Sequence, residues 1–174
     1  MIRSGDEQLI EQFRYNAWAT LRLIEFCEEL DPQMLETPVR GGHGTVKDVL
    51  ANLVGMDEFY LAVVEGAAPR APRSRFTSLD DLYDRALRLA ERWERRLQQP
   101  PHPERLVEIW EGGEGRRVRV GTVLAQVLAH GGEQRTRVVS ALEARGVEVP
   151  PLDAWTYGVW LERHRQQQPR REAL

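Results

Sequence analysis

Two polar residues four positions apart, His130 and Gln134 in "LAHGGEQRTR", interrupt an otherwise apolar helical pattern. Side chains at that spacing lie on the same face of a helix, and two histidines so placed would hold a borderline cation such as Zn²⁺ or Ni²⁺. Here the second position carries an amide, whose oxygen is a neutral and weak ligand for such ions. A third polar residue, Asn52 in "DVLANLVGMDEFY", is the comparable group in another long apolar pattern. Each needs a partner if it faces a core, because a buried polar group left unsatisfied costs about 1–3 kcal/mol. The residues therefore predict a hydrogen-bonded cluster of Asn52, His130 and Gln134. Two carboxylates could supply the charge an amide lacks: Glu133 is three residues from His130, and Asp48 is one turn before Asn52. His130 beside Glu133 also has the composition of a general base, which makes His130 the candidate catalytic residue.

Gly131 and Gly132 separate His130 from Glu133. Glycine inside a helix costs up to about 1 kcal/mol relative to alanine, so the pair implies either a close approach of a neighbouring helix or a small pocket beside His130. His43 lies in a Gly-rich connection, and His102 and His164 lie near prolines or in a charged tail; these three read as surface residues.

Positioning such a cluster requires long helices. Ile10, Phe13, Ala17, Leu21 and Ile24 recur at spacings of three and four, the stripe of an amphipathic helix. Ser4 with Glu7 has capping-box spacing at its start, and Asp31-Pro32 stops it. Thr45 with Asp48 opens a second helix through Val46, Val49, Leu53, Met56 and Tyr60. Ser78 with Asp81 opens a third through Leu82, Ala86, Leu89, Trp93 and Leu97, closed by Pro100-Pro101. A fourth begins near Thr122, carries Leu124, Val127, Gly131, Gln134, Val138 and Leu142, and ends before Gly146. Between the third and fourth, "RLVEIWEGGEGRRVRV" places two β-leaning runs around a Gly-rich turn, a hairpin signal. A shorter helical piece follows from about Leu152 to Arg165. Four amphipathic helices bury their stripes against one another, so the expected fold is all-α, a four-helix bundle with a short hairpin and a short C-terminal helix. One domain over 1–165 is expected, with 166–174 as a tail without fixed structure.

The net charge is −3, and Lys47 is the only lysine. Neither a basic excess nor a basic face interleaved with aromatics is present, which argues against nucleic-acid binding. No run approaches a membrane span and the start lacks an apolar signal core, so a cytoplasmic protein is expected. The single cysteine, Cys27, permits no internal disulfide and reads as a core filler.

"YNAWATLRLIEF", "TVKDVLANLVGMDEFYL" and "VLAQVLAHGGEQRTRVVSALEARG" with the following "VPPLD" together resemble the DinB/YfiT-like superfamily across nearly the whole chain. The resemblance implies a DinB-like four-helix bundle, often dimeric, with three histidines that commonly hold a divalent metal. Carried over by position, those histidines fall on Asn52, His130 and Gln134, so one ligand of three is kept. Arg135 keeps the arginine that follows, while Thr136 and Arg137 replace a glycine and a glutamine. Trp18 and Tyr15 match a helix-one motif; they are expected to pack, with Trp18 lining a pocket near Gly131 and Gly132. Characterised relatives include metal-dependent S-transferases that use bacillithiol, mycothiol or glutathione. The leading expectation is a degenerate metal site in a non-metal, small-molecule-binding or stress-related homodimer without a cofactor. The alternatives are a thiol S-transferase with Zn²⁺ or Ni²⁺ on an altered ligand set, Glu133 or Asp48 included, and a purely structural homodimer. The expected partners are a second copy and a small molecule or low-molecular-weight thiol.

Overall fold

An apolar stripe folds into a helix where a cap starts it and a breaker stops it. In the computed structural model, which describes residues 4–41, 44–67, 72, 74–111 and 114–167, α1 spans Ser4–Glu28, α2 Val46–Val64, α3 Leu79–Gln98, α4 Val120–Glu143 and α5 Ala154–Gln167. A 3₁₀ turn, Pro32–Glu36, follows α1, and strands β1 (Leu106–Glu111) and β2 (Glu114–Arg119) form an antiparallel hairpin between α3 and α4. His43 and residues 168–174 lie outside the described residues.

The predicted caps of α2 and α3 form. The Asp48 carboxylate accepts from both the backbone N–H and the hydroxyl of Thr45, at 2.8 Å each, and Ser78 Oγ accepts from the Asp81 N–H at 3.1 Å. Gly146, at φ 80°, takes the left-handed turn past the end of α4. Three boundaries differ from expectation. Helical backbone already includes Ser4. β2 runs straight into α4, where the Val120 N–H donates to the Arg105 carbonyl at 2.9 Å, so the helix starts two residues before Thr122. α5 starts at Ala154 because Asp153 Oδ1 accepts from the N–H groups of Trp155 and Thr156, and it continues to Gln167, past the expected end.

α1 packs against α3 and α4, and α2 packs against the same two helices, so α1 and α2 stand on the diagonal of the bundle. The core holds Leu23, Ile24, Leu50, Leu61, Leu82, Leu97 and Leu142, all fully enclosed. On α1 the deepest residues are Ala19, Leu23, Ile24 and Cys27, with Asn16 and Thr20 also buried, whereas the predicted stripe members Ala17 and Leu21 are only partly covered. The cause is that α1 is packed on three sides, by α3, α4 and α5, so a single stripe underdescribes it. Burial pushes the Cys27 thiol up to about 12, which suits a core residue and not a nucleophile. Among the described residues no helix is long and apolar enough to cross a membrane.

Candidate functional site

Neighbouring helices α2 and α4 bring together two of the three polar residues that the sequence places on them. His130 Nε2 lies 3.2 Å from Asn52 Oδ1. An amide oxygen only accepts, so the pairing puts the ring proton on Nε2. The Tyr60 ring stands edge-on to the imidazole, with centroids 6.1 Å apart at 79°, and Asn52 Nδ2 makes a long 3.5 Å contact to Ser74 Oγ. Burial pushes the His130 imidazole below its ordinary value; Glu133 opposes this and Arg137 adds to it. The ring is therefore neutral at physiological pH. His130 is only partly buried, on the margin of the core rather than inside it, while Gln134, one turn on, is buried.

The carboxylates that could have completed a ligand set are engaged elsewhere. Asp48 caps α2 through Thr45, and those two bonds hold its carboxyl below the usual range. Glu133 is exposed and paired with Arg137, one turn along the same helix. Among the described residues no three His, Cys, Asp or Glu side chains converge as a metal-binding group. The donor set where the two side chains meet is one imidazole and one amide, which does not fit a tightly held Zn²⁺ or Ni²⁺.

The two glycines and Trp18 do not form one pocket with His130. Gly131 faces α1, where the absence of a side chain lets Asn16 and Arg135 meet. Gly132 faces open space. Trp18 lies on another side of α1, where its ring centroid is 5.4 Å from that of Tyr157 and 6.2 Å from that of Trp160. Trp160 packs against Trp18 and Tyr157, whereas Trp155 on the same helix is 88% exposed.

Sequence reasoning missed a buried polar network between the helices. The Arg135 guanidinium, 6% exposed, donates to Asn16 Oδ1 at 2.7 Å and to Thr20 Oγ1 at 3.0 Å. Burial lowers its pKa, partly offset by Tyr15 and Asp57. Asp57 on α2 accepts from Trp93 Nε1 on α3 at 2.6 Å. The signals were available in part: Asn16 and Arg135 both sit inside the motifs that carry the family resemblance, and this hydrogen bond joins those two motifs physically.

Comparison with known proteins agrees with this architecture. The bundle is similar to a DinB-like protein from Bacillus cereus ATCC 10987 (TM-score 0.66, 15% identity, 83% of this chain and 95% of that one). It is similar also to a DinB-family structure from Exiguobacterium sibiricum 255-15 (TM-score 0.67, 16% identity, 88% and 100%). YfiT from Bacillus subtilis, described as a probable metal-dependent hydrolase with an unusual four-helix bundle topology, matches at TM-score 0.63 and 14% identity, over 85% of this chain and 92% of its own. At these identities the likeness concerns the fold. No curated protein matches the sequence. The DinB family model covers residues 1–170, and with that span matched the chain belongs to the DinB family.

Proposed function

We propose that this DinB-family chain is a non-metal, small-molecule-binding protein, in which a hydrogen-bonded polar pair stands where the family resemblance puts metal ligands. The observation that carries the reading is the 3.2 Å contact between His130 Nε2 and Asn52 Oδ1. It satisfies the imidazole nitrogen internally, and a cation at Nε2 would have to break that bond while gaining only amide donors around it. One observation favours a second reading, a metal-dependent thiol S-transferase or a hydrolase of the kind ascribed to YfiT: burial keeps His130 in the neutral form that ligates cations.

Elemental analysis after dialysis against Zn²⁺, Ni²⁺ and Mn²⁺ in parallel separates the two. The proposal expects background metal in the wild type and in His130→Ala. It expects about one ion per chain in the double variant Asn52→His with Gln134→His, which restores three imidazoles. Stoichiometric metal in the wild type that is lost in His130→Ala would overturn the non-metal reading and direct the search to thiol-transfer assays.

A further inference from the structure

Arg40, Arg137 and Arg145 border one cavity of about 470 Å³, between the segment that follows the 3₁₀ turn and the C-terminal half of α4. Sites for small organic ligands fall in the range of about 300–1,000 Å³. Val39, Ala141 and Ala144 give the cavity an apolar surface, and Ser140 adds a hydroxyl. The segment opposite α4 is pinned by its backbone: the Thr37 carbonyl accepts from the Val46 N–H at 3.0 Å, and the Val39 N–H donates to the Gly44 carbonyl at 2.8 Å. Both walls are therefore fixed before a ligand arrives, which lowers the cost of binding. The charge is one-sided. Among the described residues the walls carry three arginines and no carboxylate, in a chain whose net charge is −3. Three other cavities, of 460 to 710 Å³, all have carboxylates in their walls, such as Glu94, Glu148 and Asp153. Of the three arginines only Arg137 has a carboxylate partner, the exposed Glu133. Arg40 and Arg145 are open to solvent and form no ion pair among the described residues. Like charges gathered around one concave surface focus the potential there, so an anion in the cavity is attracted by all three. Guanidinium groups also match carboxylate and phosphate oxygens through paired N–H bonds.

We propose that this cavity binds a small amphiphilic organic anion, its carboxylate or phosphate held by Arg40, Arg137 and Arg145 and its apolar body against Val39, Ala141 and Ala144. The proposal rests on the small-molecule half of the function argued above and is independent of its metal half. Arg137 stands about two turns along α4 from His130, so the site is separate from the Asn52–His130 pair.

Isothermal titration calorimetry of the full chain with 2-naphthoate, 1-naphthyl phosphate, the neutral 2-naphthamide and inorganic phosphate tests each part. The proposal expects one-to-one binding of at least one naphthyl anion, and the tighter of the two identifies the head group. The amide should bind about tenfold more weakly or worse, and added salt should weaken the anions but not the amide. Arg40→Gln and Arg145→Gln each remove one solvated charge, and should weaken the anion about threefold singly and about tenfold together, with helical circular dichroism unchanged. Ala144→Trp, which fills the cavity from α4, should weaken every naphthyl probe about tenfold. His130→Ala should bind as the wild type does. Absence of one-to-one binding by both naphthyl anions overturns the proposal, as does an amide that binds as tightly as they do, or unchanged affinity in the double arginine variant. Inorganic phosphate that binds as tightly as 1-naphthyl phosphate overturns the apolar half. Binding lost in His130→Ala but kept in the double arginine variant overturns the cavity while leaving a small-molecule protein.

Discussion

A Cβ at Gly131 would sit 2.4 Å from Asn16 Oδ1 and 3.1 Å from Arg135 Nη1, whereas one at Gly132 meets nothing within 4 Å. Both glycines are interior to α4, so both carry the same helix-propensity cost, and only the neighbours differ. Gly131→Ala must push Asn16 off the guanidinium, breaking a charge-assisted bond inside the bundle. Such bonds contribute about 1.5–3 kcal/mol, and overpacking adds to the loss, so the variant should be destabilised by about 2 kcal/mol or more. Gly132→Ala has no such obstacle and should stabilise by about 0.5–1 kcal/mol through helix propensity and a less disordered unfolded chain. Urea denaturation of the two single variants checks this: midpoints should move in opposite directions, and a shared direction would sink the account. The sequence showed that adjacent glycines in a helix needed a reason. It could not show that they needed different ones, because the reason at Gly131 is a side chain 115 positions earlier, on α1.

At the scale of elements, what the sequence made legible is what is local. Stripes at spacings of three and four placed the helices of the bundle, the Thr45–Asp48 and Ser78–Asp81 signatures opened α2 and α3, and the Gly-rich turn region separated two strands. Local reasoning became ambiguous where one residue could serve two elements. Asp48 had the spacing of a cap and also that of a spare metal ligand for Asn52, and in the structure its carboxylate serves Thr45. Replacing it should therefore affect helix stability rather than metal content. Asp48→Ala should cost about 1 kcal/mol, the usual worth of a lost cap, while Asp48→Asn, which keeps an acceptor, should cost less. Thermal denaturation ranks the three proteins, and any metal content should be the same in all of them; a metal loss specific to Asp48→Ala would return the residue to the ligand set. The side of α1 that carries Trp18 was misassigned toward His130 for a related reason. Trp18 is two residues from Asn16 along the chain, but α5 covers that side of the helix, and nothing local to α1 announces α5.

Across the whole molecule, two polar links pair the bundle helices, Arg135 on α4 with Asn16 and Thr20 on α1 and Trp93 on α3 with Asp57 on α2, and the opposite charges of Arg135 and Asp57 attract each other between them. Asp57, in "GMDEFY", looks like a solvated helix residue in sequence, and its role depends on Trp93 and Arg135 far along the chain. Burial pushes its carboxyl up from 3.8 to about 6, despite the Trp93 bond and the nearby Arg135, which act in the opposite direction. A raised native pKa means that the folded chain holds its proton more tightly than the unfolded chain does. The stabilisation from that proton is fully present below about pH 4, declines as pH rises through about 6, and is absent above it. A rise of that size corresponds to about 3 kcal/mol over the interval. Asp57→Asn keeps an oxygen acceptor for Trp93 Nε1–H and removes the titration. Urea denaturation of both proteins at pH 4, 5, 6 and 7.5 should show the wild type losing up to about 3 kcal/mol relative to the variant as pH rises, most of it between pH 4 and 6. Parallel stability curves would mean that Asp57 ionises in the native bundle as readily as in water, with Arg135 compensating its charge fully. The predicted divergence would mean that the bundle tolerates this carboxylate at neutral pH for the link it makes to Trp93, and that the contact between α2 and α3 contains a pH-sensitive joint.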